Sequence, residues 1–234
     1  MSLDPAATTW LTPEPAVERV PLGGDSWVDI VRAFIPADEA AAVHEHLAAT
    51  LPWEQGEVFR YERNVAMPRL NTHVPGRRAH AALADAGMWL DRTYRVPFDG
   101  GAVALYRDGN DSVGWHRDRE MRWLEDTRIG IVVLGAQRPF LLRPLTGVRA
   151  RYDDLHDAYD MAPSGGDLLV LGGRCQAAWL HAVPKVRARG GTRISVQYRW
   201  TSKRGRPDTN PGFYEARRFG DGARRPPRPP GLRR

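Results

Sequence analysis

Short β-prone segments, separated by turn residues, follow one another through the second half of the chain. They cover residues 102–107, 129–134, 140–143, 167–171, 177–183 and 193–200. Glycine, proline, serine, Asp and Asn lie between them, as in Asp108-Gly109-Asn110-Asp111 and Ser164-Gly165-Gly166. Many short strands with such punctuation predict an all-β sandwich or barrel rather than alternating strands and helices.

The first half of the chain predicts helices. Residues 36–49 begin with a proline followed by two acids, which suit a first helical turn, and residues 79–94 carry an apolar helical stripe. We predict a strand at 27–35, a strand or hairpin arm at 53–64, and a loop at 67–76, which contains two prolines. Helices that precede strands predict a mostly β fold with flanking helices, that is, a jelly roll backed by N-terminal helices.

The positive charge is concentrated at the C-terminal end. The chain carries a formal net charge of +6, and residues 215–234 hold seven arginines and two acids, a net of +5. We therefore expect an N-terminal arm (1–24), a domain (25–206) and a basic Pro/Arg-rich extension (207–234). Such an extension suits a polyanion such as nucleic acid, but it equally suits a solubilising end.

Cysteine content limits the classes of site and compartment. A single cysteine, Cys175, excludes a disulfide framework and a zinc site built from several thiolates. It favours a reducing compartment, and we expect a cytoplasmic monomer. No apolar run reaches about 18 residues, and residues 1–15 carry no basic or apolar block, so we expect neither a membrane span nor a signal peptide.

Three residues could hold a divalent metal. His116 and Asp118 would leave the same face of an extended segment, and His181 lies near the end of a later predicted strand. Two histidines and one carboxylate form the facial triad of non-haem Fe(II) oxygenases, which leaves three coordination positions open. Taken alone, a His-x-Asp pair is also typical of a charged surface or a turn cap.

The last predicted strand alternates strictly between polar and apolar residues over 192–200. Its polar face carries Arg193, Ser195, Gln197 and Arg199. If that face points into a barrel, its arginines need anionic partners, which a dicarboxylate would supply. The same alternation fits an edge strand with a solvated polar face, and both interpretations remain open here.

Six motifs occur in a fixed order between residues 67 and 199. They are Met67-Pro68-Arg69-Leu70, Leu105-Tyr106-Arg107-Asp108 with its continuation to Trp115-His116-Arg117-Asp118-Arg119-Glu120, Leu134-Gly135-Ala136-Gln137-Arg138-Pro139-Phe140, Gly166-Asp167-Leu168-Leu169, His181-Ala182-Val183-Pro184, and Arg193-Ile194-Ser195-Val196-Gln197-Tyr198-Arg199. In order and spacing this set resembles the AlkB-like branch of the 2-oxoglutarate- and Fe(II)-dependent dioxygenases. The resemblance implies a double-stranded β-helix fold.

The resemblance also implies roles for individual residues. His116, Asp118 and His181 would bind Fe(II). Arg193 and Tyr106 would bind the distal carboxylate of the co-substrate 2-oxoglutarate, and Arg199 would lie near its iron-bound end or brace Asp118.

Substrate contacts are implied by the same resemblance. Glu120 matches an acidic position that faces the alkylated base, and Pro68 and Arg69 match a nucleotide-recognition loop. His73, Trp115 and Tyr61 are the candidates for stacking on an extruded base.

Three positions depart from the family pattern. Ala104 and Ser195 stand where asparagines often help to bind the co-substrate, and Arg119 replaces an acid that often follows the metal-binding aspartate. We keep Ser195 in the predicted co-substrate set.

The implied function is oxidative dealkylation of N-alkylated bases, of the 1-methyladenine and 3-methylcytosine type, in single- or double-stranded DNA or in RNA. The alkyl carbon is hydroxylated and leaves as an aldehyde. Arginines of the C-terminal extension and of residues 203–206 would hold phosphates. Two alternatives stay open: the same chemistry on a protein, a small molecule or a modified RNA, and a non-catalytic jelly roll that binds nucleic acid.

Overall fold

The computed structural model describes residues 10–60, 63–145, 158–187 and 190–209. Within these ranges the strands are β1 (Glu18–Gly23), β2 (Ser26–Val31), β3 (Glu57–Arg60), β4 (Arg63–Ala66), β5 (Leu70–Thr72), β6 (Ala102–Tyr106), β7 (Val113–His116), β8 (Thr127–Gly135), β9 (Leu141–Pro144), β10 (Tyr159–Asp160), β11 (Leu168–Gly173), β12 (Trp179–Val183) and β13 (Arg193–Thr201). The helices are α1 (Ala37–Thr50), α2 (Gly76–Ala79), α3 (Ala81–Tyr94) and α4 (Cys175–Ala178).

Two antiparallel sheets form the body of the protein. The larger sheet has the strand order β1-β2-β11-β8-β13-β6-β5, and the smaller sheet has the order β10-β9-β12-β7. The strands β3 and β4 make a separate hairpin. The predicted jelly roll with flanking helices is confirmed. Its central strand β8 pairs with β11 and β13, which are distant in sequence, so long connections join these strands.

The larger sheet is covered on both faces, and the alternation of its central strands explains this. In β8, Val132 and Leu134 join a core that also contains Val43 and Leu83 of the helices. The intervening Ile131 and Val133 join a second core, which lies between the two sheets. The fold therefore has three layers, with helices, larger sheet and smaller sheet in that order.

The ends of the helices follow local rules. Helix α1 begins after Pro36 and carries Asp38 and Glu39 in its first turn, where free backbone N–H groups favour acids. At the start of α3, the ring of His80 accepts a hydrogen bond from the backbone N–H of Ala82. Within the described ranges, none of the helices is long and apolar enough to cross a membrane.

The structure differs from two predictions about the first half of the chain. Residues 18–23, predicted as part of an arm, form the edge strand β1. A bidentate ion pair between Arg19 and Asp29 joins β1 to β2. Residues 70–72, predicted as loop, form β5, because the two nearby prolines flank the strand instead of interrupting it. Residues 210–234, which make up most of the predicted C-terminal extension, lie outside the described residues.

Candidate active site

The three predicted metal ligands converge between the sheets. His116 ends β7, Asp118 follows it two residues later, and His181 lies directly opposite His116 in β12. The Oδ1 atom of Asp118 lies 3.5 Å from Nε2 of His116 and 3.6 Å from Nε2 of His181. The three donor atoms all lie within 4.8 Å of one another, so one ion could reach all three.

Both histidines are held in the form that binds a metal. The Nδ1 atom of His116 lies 2.8 Å from the carbonyl oxygen of Gly114, which can only accept, so Nδ1 carries the proton and Nε2 presents its lone pair. Burial lowers the pKa of His116, and burial together with His116 lowers the pKa of His181 to about 3. Neutral imidazoles therefore face the carboxylate at neutral pH.

Two hydrogen bonds hold Asp118, one at its side chain and one at its backbone. Nε of Arg199 donates to its Oδ2 at 3.0 Å, which leaves Oδ1 facing the imidazoles. The side-chain Oε1 of Gln176, in α4, accepts from the backbone N–H of Asp118 at 2.8 Å. Burial favours a raised pKa for Asp118, but Arg199 and the two histidines outweigh it and lower the pKa, so the carboxylate is ionised.

Of the two predicted placements of Arg199, the structure shows the one in which it braces Asp118. Its Nη2 also lies 3.0 Å from Oε1 of Glu120 and donates to Oε1 of Gln197 at 2.7 Å. Burial favours a lowered pKa for Arg199, yet the two carboxylates raise it.

A cavity with walls from both sheets contains a second polar centre. Arg193 lines it and is completely buried, and Nε and Nη1 of its guanidinium have no hydrogen-bond partner among the described residues. Burial lowers its pKa to about 10, so it remains a cation at neutral pH. An unpaired buried cation is costly unless an anion occupies the cavity beside it.

Tyr106 and Arg69 stand beside this cation. The centre of the Tyr106 ring lies 5.7 Å from the guanidinium carbon of Arg193, and Nη1 of Arg69 donates to the Tyr106 hydroxyl at 3.1 Å. All three residues line the same cavity as His116, His181, Ser195 and Arg199. The cavity can therefore hold an anion at the Arg193 end and a metal at the other.

Most of the predicted substrate residues do not line the cavity. Of Glu120, Arg69, Pro68, His73 and Trp115, only Arg69 is among the described residues that line the cavity. Glu120 reaches the site through Arg199, and its side chain is 43% exposed. The exposed His73 pairs with Glu54 at 3.2 Å. The carbonyl oxygen of Pro68 accepts from the backbone N–H of Ser112.

Trp115 lies next to His116 in β7 and so points to the opposite face of the smaller sheet. There the guanidinium carbon of Arg143 lies 4.2 Å from the centre of a Trp115 ring. The structure does not bring Trp115 to the cavity. Tyr61 lies outside the described residues.

Two buried residues that the sequence analysis gave no role support the site. One is Gln176, described above. The other is Arg138, whose guanidinium donates to the carbonyl oxygens of Asp108, Asp111 and Pro184 at 2.7–2.9 Å. It thereby ties the loop before β7 to the end of β12. The motif that contains Arg138 was recognised, but its contacts are too distant in sequence to show in a local pattern.

Comparison with protein families and curated proteins agrees with this geometry. The model of the 2OG-Fe(II) oxygenase superfamily matches residues 38–199. DNA oxidative demethylase ALKBH2 of Arabidopsis thaliana is 25% identical over 219 residues, covering 79% of this chain and 69% of that protein. Alpha-ketoglutarate-dependent dioxygenase alkB homolog 3 is 27% identical over 200 residues in Homo sapiens (79% and 70% covered) and 28% identical over 190 residues in Bos taurus (75% and 66% covered).

Comparison with solved structures shows the same fold. A prolyl hydroxylase from Trichoplax adhaerens, solved with a peptide fragment of the oxygen degradation domain of hypoxia inducible factor, superposes with a TM-score of 0.50 at 13% identity. The superposition covers 74% of this chain and 82% of that one.

Proposed function

The chain belongs to the 2OG-Fe(II) oxygenase superfamily, and from this premise we propose that it removes alkyl groups oxidatively from N-alkylated bases in nucleic acid. The predicted AlkB-like resemblance and the predicted enzyme class, a dioxygenase that uses Fe(II) and 2-oxoglutarate, are confirmed. The base, its alkyl group and the strand that carries it are the proposed part.

The observation that carries the proposal is one cavity with two complementary ends. His116, Asp118 and His181 present two neutral nitrogens and one ionised oxygen, the donor set that suits Fe(II). Arg193 presents buried donors without partners, which suits a carboxylate of 2-oxoglutarate. The residues present therefore fit both the metal and the co-substrate.

When bound there, Fe(II) with 2-oxoglutarate and dioxygen supplies the oxidation that hydroxylates the alkyl carbon, with succinate and carbon dioxide as by-products. The hydroxylated alkyl group then leaves the base as an aldehyde, and the unmodified base remains. The chain orients Asp118 through Arg199 and Gln176 and holds the co-substrate through Arg193. It also buries Asp118 and His181 and leaves the His116 side chain only 11% exposed, so that little water reaches the metal ligands.

Glu120 supports a cationic substrate. Adenine alkylated at N1 and cytosine alkylated at N3 carry a positive charge, and a nearby carboxylate favours them over the neutral bases. The Glu120 side chain is accessible and is held next to the metal-binding loop by Arg199. Partial burial and the neighbouring Asp118 raise the pKa of Glu120, an effect that a cationic base would oppose.

A basic strap, residues 201–208, supports a polyanionic partner. The Thr201 hydroxyl donates to the Trp123 carbonyl and the Asp208 N–H donates to the Arg122 carbonyl, both at 2.7 Å, so the strap is fixed to the loop that follows Asp118. Between these ties the exposed side chains of Lys203, Arg204 and Arg206 make no ion pair with a described residue. We propose that they contact phosphates of the bound strand.

The test is turnover of a single-stranded oligonucleotide that bears 3-methylcytosine or 1-methyladenine, with Fe(II), 2-oxoglutarate and ascorbate. We expect succinate and the restored base in equal amounts, and neither with His116→Ala. The matched control is His46→Ala, which removes an exposed histidine of α1 and should keep full activity. Succinate that requires His116 but forms without base repair would overturn the proposed substrate and point to a protein, a small molecule or another modified RNA.

A second measurement isolates the strap. Replacing Lys203, Arg204 and Arg206 by glutamine should weaken binding of the oligonucleotide and lower the slope of log Kd against log salt concentration by about 2, since each lost single-strand phosphate contact removes about 0.7. An unchanged slope would remove the strap from the binding surface. A cytoplasmic location and a monomeric state stay predictions from the sequence.

A further inference from the structure

Three residues on neighbouring strands form a row across the floor of the cavity. Asn71 of β5 lies directly opposite Ala104 of β6, and Ala104 lies directly opposite Ser195 of β13. Directly opposite residues project to the same face of a sheet, with Cβ atoms about 4.5–5.5 Å apart. All three line the cavity.

This row stands next to the row that contains the buried cation. Two residues further along β13 and β6, Arg193 lies directly opposite Tyr106. An anion held by Arg193 that extends toward the metal ligands therefore has the row of Asn71, Ala104 and Ser195 beneath it.

The polar atoms of the row are not used by the protein itself. The Ser195 hydroxyl is buried and has no hydrogen-bond partner among the described residues. The side-chain amide of Asn71 also makes no hydrogen bond with a described residue; its backbone alone pairs, with Glu54. Ala104 contributes only a methyl group, so it leaves open the space between the two polar side chains.

We propose that Asn71 is a binding residue for 2-oxoglutarate, whose side-chain amide donates a hydrogen bond to the co-substrate across the methyl group of Ala104. An amide is neutral and carries two donors, so it can satisfy an anion's oxygen without adding charge to a cavity that already holds Arg69, Arg193 and Arg199. Asn71 has no role in the sequence prediction, because residues 67–76 were expected to form a loop.

The experiment measures the affinity for 2-oxoglutarate without turnover. The full chain is loaded with Mn(II) in place of Fe(II), and 2-oxoglutarate is titrated by calorimetry in the absence of nucleic acid. We expect Asn71→Ala to weaken Kd about 10-fold, as loss of a hydrogen bond to a charged group does. Asn71→Asp, equal in size but anionic, should weaken it further, by about 100-fold.

A swap variant tests the position of the amide. In Asn71→Ala/Ala104→Asn the amide moves one strand toward Arg193, and we expect Kd to return to within about 3-fold of the wild-type value. The matched control is Asn64→Ala, which removes an exposed asparagine of β4 and should leave Kd unchanged. The Kd for Mn(II) should stay the same in every variant, because none of these residues is a metal ligand.

Each other outcome counts against the proposal. If Asn71→Ala changes the Kd of 2-oxoglutarate by less than 2-fold, Asn71 does not bind the co-substrate. If Asn71→Ala weakens 2-oxoglutarate and Mn(II) alike, the residue supports the fold and not the ligand. Since no nucleic acid is present, these results do not depend on the proposed base substrate, which the oligonucleotide assay tests separately.

Discussion

Replacement of Gln176 by leucine should weaken metal binding although Gln176 is not a ligand. Gln176 is completely buried in α4, and its Oε1 atom accepts the backbone N–H of Asp118 at 2.8 Å. Leucine has a similar volume and cannot accept, so the Asp118 N–H would be left buried without a partner. Such a loss costs about 1–3 kcal/mol.

The expected cost lies in the lower half of that range. The Nε2 atom of Gln176 has no hydrogen-bond partner among the described residues, so the substitution also removes a polar group that the fold leaves unsatisfied. We therefore expect the metal-free variant to lose about 1–2 kcal/mol. For a chain of this size that lowers Tm by about 2–8 °C.

The effect on the metal follows from the same hydrogen bond. Because Gln176 fixes the backbone at Asp118, its loss should misplace the carboxylate and weaken Mn(II) binding by about 10–100-fold. At a metal concentration 100 times the wild-type Kd, the metal stabilises the wild type by about 2.7 kcal/mol. With a 30-fold weaker Kd the same concentration stabilises the variant by only about 0.9 kcal/mol.

The assay is thermal unfolding with and without Mn(II), beside a direct titration of the metal. Gln55→Leu is the matched control: Gln55 is exposed, its amide donates to the Met67 carbonyl, and its replacement should cost less than about 0.5 kcal/mol and leave metal binding intact. If Gln176→Leu lowers the metal-free Tm but keeps the full stabilisation by Mn(II), Gln176 is only a packing residue and does not position Asp118.

Three further substitutions or conditions give independent checks. Arg193→Gln should weaken the Kd of 2-oxoglutarate, measured by calorimetry, by at least about 100-fold. The metal-free Tm should stay level or rise, because the substitution removes an unpaired buried cation. Tyr198→Phe should cost about 1 kcal/mol in urea unfolding, since the buried Tyr198 hydroxyl donates to the Leu83 carbonyl at 2.7 Å. Between pH 7 and pH 5 the free energy of unfolding of the metal-free protein should fall by about 2 kcal/mol through His181. The reason is that the unfolded histidine takes up a proton below about pH 6.5, whereas the folded one, with a pKa of about 3, does not. His181→Gln should reduce that loss.

Two of the metal ligands could be predicted because they are local, and the third, His181, because its motif follows at the expected place in the chain. An extended backbone places His116 and Asp118 on one side, and the structure confirms that His181 joins them from the neighbouring strand. The same rule argues against Trp115 as a cavity residue, since neighbouring residues in a strand point to opposite faces. Its assignment came from the motif and not from the geometry of the strand.

The residues that orient the ligands could not be predicted in the same way. Gln176 meets Asp118 across 58 positions of sequence, and Arg138 meets Pro184 across 46. Neither contact leaves a periodic signal, because each depends on how two strands end and where the loops between them turn. Buried polar side chains of this kind become visible only when the partners are in place.

Asn71 shows where prediction from the sequence alone fails. Two prolines favoured a loop over residues 67–76, yet a three-residue strand forms there because β6, some thirty positions later, supplies its partner. That pairing turns the Asn71 amide toward the cavity and places it beside Ala104, the position at which the expected amide is missing. Sequence alone therefore suggested a loss at Ala104, whereas the register of β5 brings an equivalent group from the next strand. A missing motif residue in a sheet-built site should be judged by its cross-strand neighbours before the site is considered degenerate.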